Sequence, residues 1–272
     1  LSTPTHPPVI QTVRHFRQER PDNIFQIISL EKKMINSKVF LAEFIGTFAL
    51  VFIGMGAGIV TKWNLVGIAI AYGLTLAVFV YAYGHISGAH LNPAVTFAFA
   101  LNGTVKWMQA VFYWLAQFAG AILAVFFLKT LMEPLGADIH TIVTNGLFTD
   151  SHPILIMVLE AVLTFFLVNT ILHTMVENKG GVSASWAIGA TLAFTTLVGF
   201  LFTGDAMNPA RTLAAGIFAA PSLTSVYTYV VFLFGPLIGS TLAVIVFNFL
   251  NSTPKKVEET EEIKEEAKSI EA

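Results

Sequence analysis

Two stretches, Ser87-Gly88-Ala89-His90-Leu91-Asn92-Pro93-Ala94-Val95-Thr96 and Thr203-Gly204-Asp205-Ala206-Met207-Asn208-Pro209-Ala210-Arg211-Thr212, are near copies of one another. Each sets an Asn-Pro-Ala triplet at the head of an apolar run. Asn is a favoured helix N-cap and Pro suits the first helical position, so each triplet starts a helix. Both runs are far shorter than the roughly 20 residues a helix needs to cross a bilayer. Each therefore reads as half a span.

The rest of the chain supplies the membrane context. Of 272 residues, 55% are hydrophobic and only 12% charged, against about 25% charged in a typical soluble domain. Mean hydropathy is +0.71. Six segments are long enough to span: about Lys38–Val60, Leu65–Gly84, Trp107–Leu128, Ile154–Val176, Val182–Phe202 and Val226–Leu250. Four of them hold no Asp, Glu, Lys or Arg. Backbone in lipid must satisfy its own hydrogen bonds, so continuous apolar runs of this length are helices. The reading is an all-α membrane protein, with the bilayer as its surroundings. A net charge of -2 and the lack of a basic patch exclude a nucleic-acid partner. With no cysteine, and no His pair at metal-ligand spacing, no metal site or cofactor is expected.

Six spans put both ends of the chain on one side. Lys32, Lys33, Lys38, Lys106, Lys179, Lys255 and Lys256 then gather on that side, and only Lys62 and Lys129 lie near span ends on the other. This bias predicts cytoplasmic termini. The expected domains are a polar, disordered tail over 1–37, a membrane domain over 38–250 and a charged tail over 251–272. Met34 directly precedes the first span. Residues 1–33 read either as a dispensable stretch upstream of the true start or as an ordinary cytosolic tail.

The membrane domain is an internal repeat, about 38–130 and about 154–250. Glu43 lies 49 residues before Asn92, and Glu160 lies 48 before Asn208. Gly73 and Gly189 each precede their Asn by 19. Gly120 and Gly239 mark the third span of each copy. Three spans are an odd number, so the second copy enters the membrane inverted, related to the first by a two-fold axis in the membrane plane. The half-helices then dip in from opposite faces and meet near the midplane. Each N-terminus carries roughly +0.5 of an elementary charge. Two such ends would make a focus that repels cations and passes neutral molecules. Asn92 and Asn208 would donate into the lumen there, beside Pro93, Ala94, Pro209 and Ala210.

Glu43 and Glu160 are ionisable groups inside spans, where they are costly and usually partnered. They read as acceptors for the non-helical backbone before each half-helix. A proton relay is the other reading. Irregular backbone at membrane depth lines water or is buried in protein. The carbonyls of Gly88, Ala89, His90, Gly204 and Ala206 are expected to form a ladder along the lumen. His85 and His90 have two readings, local hydrogen bonding or pH sensing.

The two triplets, the residue Arg211 after the second, and Ala42-Glu43-Phe44-Ile45-Gly46-Thr47-Phe48 opening the first span resemble the aquaporin, or major intrinsic protein, family over about residues 38–250. The resemblance implies six transmembrane helices plus two re-entrant half-helices. It implies passive flux of water and small uncharged solutes, glycerol-like molecules or metalloid acids among them. It also implies a homotetramer in the cell membrane, with no catalytic residue. A second constriction is implied at Tyr72, Thr196, Asp205 and Arg211, carried over by offset from the triplets. Thr196 replaces the His of strict water channels, Thr212 stands where glycerol channels usually have Asp, and Phe232-Leu233 replaces an aromatic-Trp pair. The mixture is similar to nodulin-type and related bacterial members. Asp205 departs from the family and either pairs with Arg211 or faces external water. The rival function is a secondary transporter, which also uses inverted repeats. A membrane enzyme and a non-conducting junction protein are more distant rivals.

Overall fold

In the computed structural model the described residues are 36–135, 152–176, 181, 183–204, 206–218 and 226–252. Residues 1–35 and 253–272 of the expected tails, the 136–151 connection and Asp205 lie outside them. All regular elements among the described residues are helical. The first repeat holds α1 (Ser37–Val60), α2 (Leu65–Ser87), the half-helix α3 (Pro93–Leu101) and α4 (Trp107–Met132). The second holds α5 (Pro153–Ile171), α6 (Ser183–Thr203), the half-helix α7 (Pro209–Phe218) and α8 (Val226–Asn251). Six of these are long and apolar enough to cross a membrane, with mean hydropathy from 1.6 to 2.4. The protein is an integral membrane protein.

Local chemistry sets the helix ends. The Asn36 side chain accepts from Lys38 N–H, and the Asn64 side chain from Gly67 N–H, so both act as N-caps. Gly88 ends α2 in the left-handed region at φ 82°, the conformation that glycine adopts without steric cost. Spans α2 and α4 run a few residues past the expected ends, to Ser87 and Met132. The α5 span closes with a π-helical turn over Leu172–Val176.

The repeat is visible in the packing. α1 packs on α4 as α5 packs on α8, and α2 faces α6 across the axis. A Cβ on Gly73 would meet the Gly189 carbonyl and Ala193, and one on Gly189 would meet the Gly73 carbonyl and Ala77. A Cβ on Gly120 would strike the Phe44 carbonyl, and one on Gly239 the Ala161 carbonyl. Membrane helices use small residues at such crossings because close backbone approach is their main source of attraction. Each half-helix packs along the third span of the other copy, α3 on α8 and α7 on α4. The outer faces are apolar: Val66, Ile70, Leu74 and Val78, four residues apart along α2, are each about half exposed.

Candidate pore

The half-helices meet tip to tip. α3 and α7 have 9 and 10 residues, or roughly 14–15 Å each at 1.5 Å per residue. Laid end to end they cover the roughly 30 Å of a hydrocarbon core. At the junction the two Asn side chains cross. Asn92 Nδ2 donates to the Met207 carbonyl at 3.0 Å, and Asn208 Nδ2 to the Leu91 carbonyl at 2.8 Å. The amide oxygens cap their own helices: Asn92 Oδ1 accepts from Ala94 N–H at 2.8 Å, and Asn208 Oδ1 from Ala210 N–H at 3.0 Å and Arg211 N–H at 3.3 Å. Each amide thus uses its oxygen and one of its two N–H groups within the protein. This reciprocal tie follows from neither copy taken alone.

Glu43 organises the backbone before α3. Its carboxylate accepts from Ser87 Oγ (2.6 Å), His90 N–H (2.9 Å), Leu91 N–H (2.8 Å) and Gln117 Nε2 (2.8 Å). Ser87 Oγ also accepts from Ala89 N–H at 3.0 Å. With the N–H groups drawn to one side, none of the described residues donates to the carbonyls of Gly88, Ala89 or His90. Glu160 takes the matching place, accepting from Thr203 Oγ1 and from Ala206 N–H at 3.1 Å. The Ala206 carbonyl instead receives the Thr212 hydroxyl at 3.3 Å.

Further braces come from residues that the repeat comparison did not single out. Gln117 Nε2 also donates to Thr96 Oγ1 at 2.9 Å, Tyr113 Oη to the Ser87 carbonyl at 2.7 Å and Trp114 Nε1 to the Pro93 carbonyl at 3.2 Å. Ser240 Oγ reaches across from α8 to the Ala94 carbonyl at 2.8 Å. Gln117 had a signal in the sequence, as an amide in the middle of an otherwise apolar span. His90 is buried, with Nδ1 3.1 Å from Thr96 Oγ1 and its ring stacked 4.4 Å from Phe99. His85 is exposed.

A cavity of about 30 Å3 lies at the junction, room for about two or three waters at roughly 10–15 Å3 each. Tyr72, Asn92, Asn208 and Arg211 line it, with aliphatic walls that include Leu76 and Leu192. Arg211, 4% exposed, directs Nε at Tyr72 Oη, 3.5 Å away. Thr196 is fully buried. It is not among the residues lining this cavity, whereas Leu192, one turn earlier in α6, is. Among the described residues no group of three or more His, Asp or Glu is placed to hold a metal.

A family model for Major intrinsic protein matches residues 30–247. Similar proteins include glycerol uptake facilitator protein-like 6 of Lactiplantibacillus plantarum, 35% identical over 215 residues, 78% of this chain and 98% of that protein. Aquaporin NIP1-1 of Zea mays is 36% identical over 225 residues, covering 80% and 77%. Nodulin-26 of Glycine max is 34% identical over 248 residues, covering 89% and 86%. Among solved structures, the aquaglyceroporin from Plasmodium falciparum has the same fold, with a TM-score of 0.70 at 22% identity over 78% of this chain and 95% of that one. The match over most of its length makes this chain a member of the major intrinsic protein family.

Proposed function

We propose that water and small uncharged solutes pass between the tips of α3 and α7, with Asn92 and Asn208 as the midplane donors. The protein is a passive membrane channel. The observation that carries the site assignment is the cross-tied Asn pair on the cavity wall. One N–H of each amide is held by the opposite loop, so the other has a fixed aim at a passing oxygen. Pro93, Ala94, Pro209 and Ala210 complete the junction. The two helix N-termini, each roughly +0.5 of a charge, oppose a cation or an excess proton at the same point. The bare carbonyls of Gly88, Ala89 and His90 supply acceptors on the approach, with Gly204 in the matching stretch, where the Ala206 carbonyl shares its acceptor capacity with the Thr212 hydroxyl.

A second constriction lies at Tyr72 and Arg211, which line the cavity together; the resemblance adds Thr196 to it, and its fourth expected position, Asp205, is outside the described residues. Arg211 donates to the permeant and adds a full positive charge to the barrier. Glycerol, named for the bacterial relative, is a candidate permeant along with water and metalloid acids. No catalytic chemistry is assigned, and the protein works as a homotetramer in the cell membrane with both termini in the cytoplasm.

Stopped-flow light scattering on proteoliposomes tests this. Water flux well above that of protein-free vesicles, linear in the gradient and weakly dependent on temperature, is the expected result. Saturable flux driven by an ion gradient would replace the channel with a transporter.

A further inference from the structure

A second cavity, of about 140 Å3, lies behind the half-helix that carries Arg211. Phe118 of α4, Pro209, Thr212 and Leu213 of α7, and Phe232 and Leu233 of α8 line it, with Tyr229 beside them. The Thr212 hydroxyl is within 3.2 Å of the Asn208 carbonyl and 3.3 Å of the Ala206 carbonyl, so it is engaged within the half-helix. The remaining walls are hydrocarbon or aromatic.

The repeat explains why the space exists. Gly120 against Phe44, and Gly239 against Ala161, fix the register between α4 and α8. In that register Phe232 matches Tyr113 and Leu233 matches Trp114. In the first copy Tyr113 ties down the end of α2 through the Ser87 carbonyl, and Trp114 leans on the half-helix through the Pro93 carbonyl. In the second copy Leu replaces the indole and leaves its volume vacant. An apolar cavity of roughly 150 Å3 stays dry and accepts a benzene-sized guest, because water there would find no partners.

The rim points to what enters. Leu213 of α7 and Leu233 of α8 are 37% and 41% exposed, and Phe234 and Ile238 of α8 and Leu115 of α4 are exposed as well. Apolar side chains exposed on spanning helices are suited to the hydrocarbon of a bilayer. We propose that this cavity is a binding site for one acyl chain of a membrane lipid, seated between α4 and α8 against Pro209 and Leu213. The chain takes the place that Trp114 fills in the first copy and braces the second half-helix from behind.

Phosphatidylcholines carrying a diazirine at successive chain carbons, reconstituted with the full chain and photolysed, test the assignment. Mass spectrometry is expected to find adducts on the peptide holding Tyr229 and Leu233, and on the peptide holding the exposed Ile245 and Phe249 farther along α8, which serves as reference. Leu233→Trp, which restores the indole of the first copy, is expected to return the Tyr229 signal to background and leave the reference signal unchanged. Water flux of the same vesicles checks that the variant is folded, and Leu233→Phe replaces it if it is not. Equal labelling of Tyr229 before and after filling, or no adduct there in the unaltered protein, overturns the site. A face covered by another copy of the chain gives the second of these results.

Discussion

The two re-entrant loops carry the same triplet and are held by different means. Before α3, Glu43 gathers Ser87, His90, Leu91 and Gln117, while Tyr113 and Trp114 tie the loop and half-helix to α4. Two non-glycine residues there, Ala89 at φ 46° and Leu91 at φ 52°, sit in the left-handed region. Such residues cost about 1–3 kcal/mol each and persist only where their surroundings over-determine them. Before α7, the matching positions on α8 are Phe232, Leu233 and Pro236, none of which has a side-chain donor. Among the described residues of that loop only Gly204, at φ 74°, has a positive φ. The difference teaches that the two-fold axis fixes where the tips meet, while the third spans decide how firmly each is braced. The copy braced through α4 has Val95 after its triplet; the other has Arg211.

The contrast can be broken most severely at Glu43. Glu43→Ala strands four donors in the membrane interior, at about 1–3 kcal/mol each. The expected outcome is loss of the folded protein, read as the absence of a monodisperse peak in mild detergent. The next largest effect is on selectivity. Arg211→Val gives the second triplet the residue that follows the first. Glycerol permeability is expected to rise roughly tenfold or more, the result of a barrier lower by about 1.4 kcal/mol. Stopped-flow flux that stays unchanged would remove Arg211 from the constriction.

Two smaller changes make the first loop more like the second. Gln117→Leu removes the donor shared by Glu43 and Thr96, with an expected loss of about 2 kcal/mol seen as a lower thermal midpoint. Tyr113→Phe copies Phe232 and deletes one hydrogen bond to the Ser87 carbonyl. Its cost is about 1 kcal/mol, and its measurable trace is faster hydrogen exchange in the 87–91 segment. If Gln117→Leu and Tyr113→Phe leave both readouts unmoved, the bracing of the first loop resides in Glu43 alone.

Much of this architecture is legible in the chain itself. Six long apolar runs, two Asn-Pro helix starts and two charged residues inside spans are strong signals, since lipid penalises each irregularity. Matching the halves also brings out whatever they share, Glu43 with Glu160 and Gly73 with Gly189. It hides what only one copy has. Gln117, Tyr113 and Trp114 act on the first loop, and their counterparts Pro236, Phe232 and Leu233 carry no side-chain donor, so no repeat points to them. Reciprocal bonding between the Asn amides and the opposite carbonyls is a property of the assembled pair, and no linear spacing encodes it. Thr196 stands twelve residues before Asn208, and Leu192, one turn earlier in α6, is the residue of that helix that lines the described cavity. Offset along a chain locates a helical turn and leaves open which residue in it meets the lumen. The expected role of Asp205 concerns a residue outside the described set.

The crossed amides also bear on assembly. The Leu91 carbonyl finds its donor 117 residues later, and the Asn92 amide finds its acceptor 115 residues later. During synthesis the first repeat is made without either partner. It reaches the membrane with an unfinished polar tip, and its half-helix lacks the α8 surface on which it rests. Insertion of the second repeat supplies both at once. Closure of the conduit is therefore a late event, cooperative between halves, and a chain cut in the 136–151 connection should conduct only when both pieces are made together.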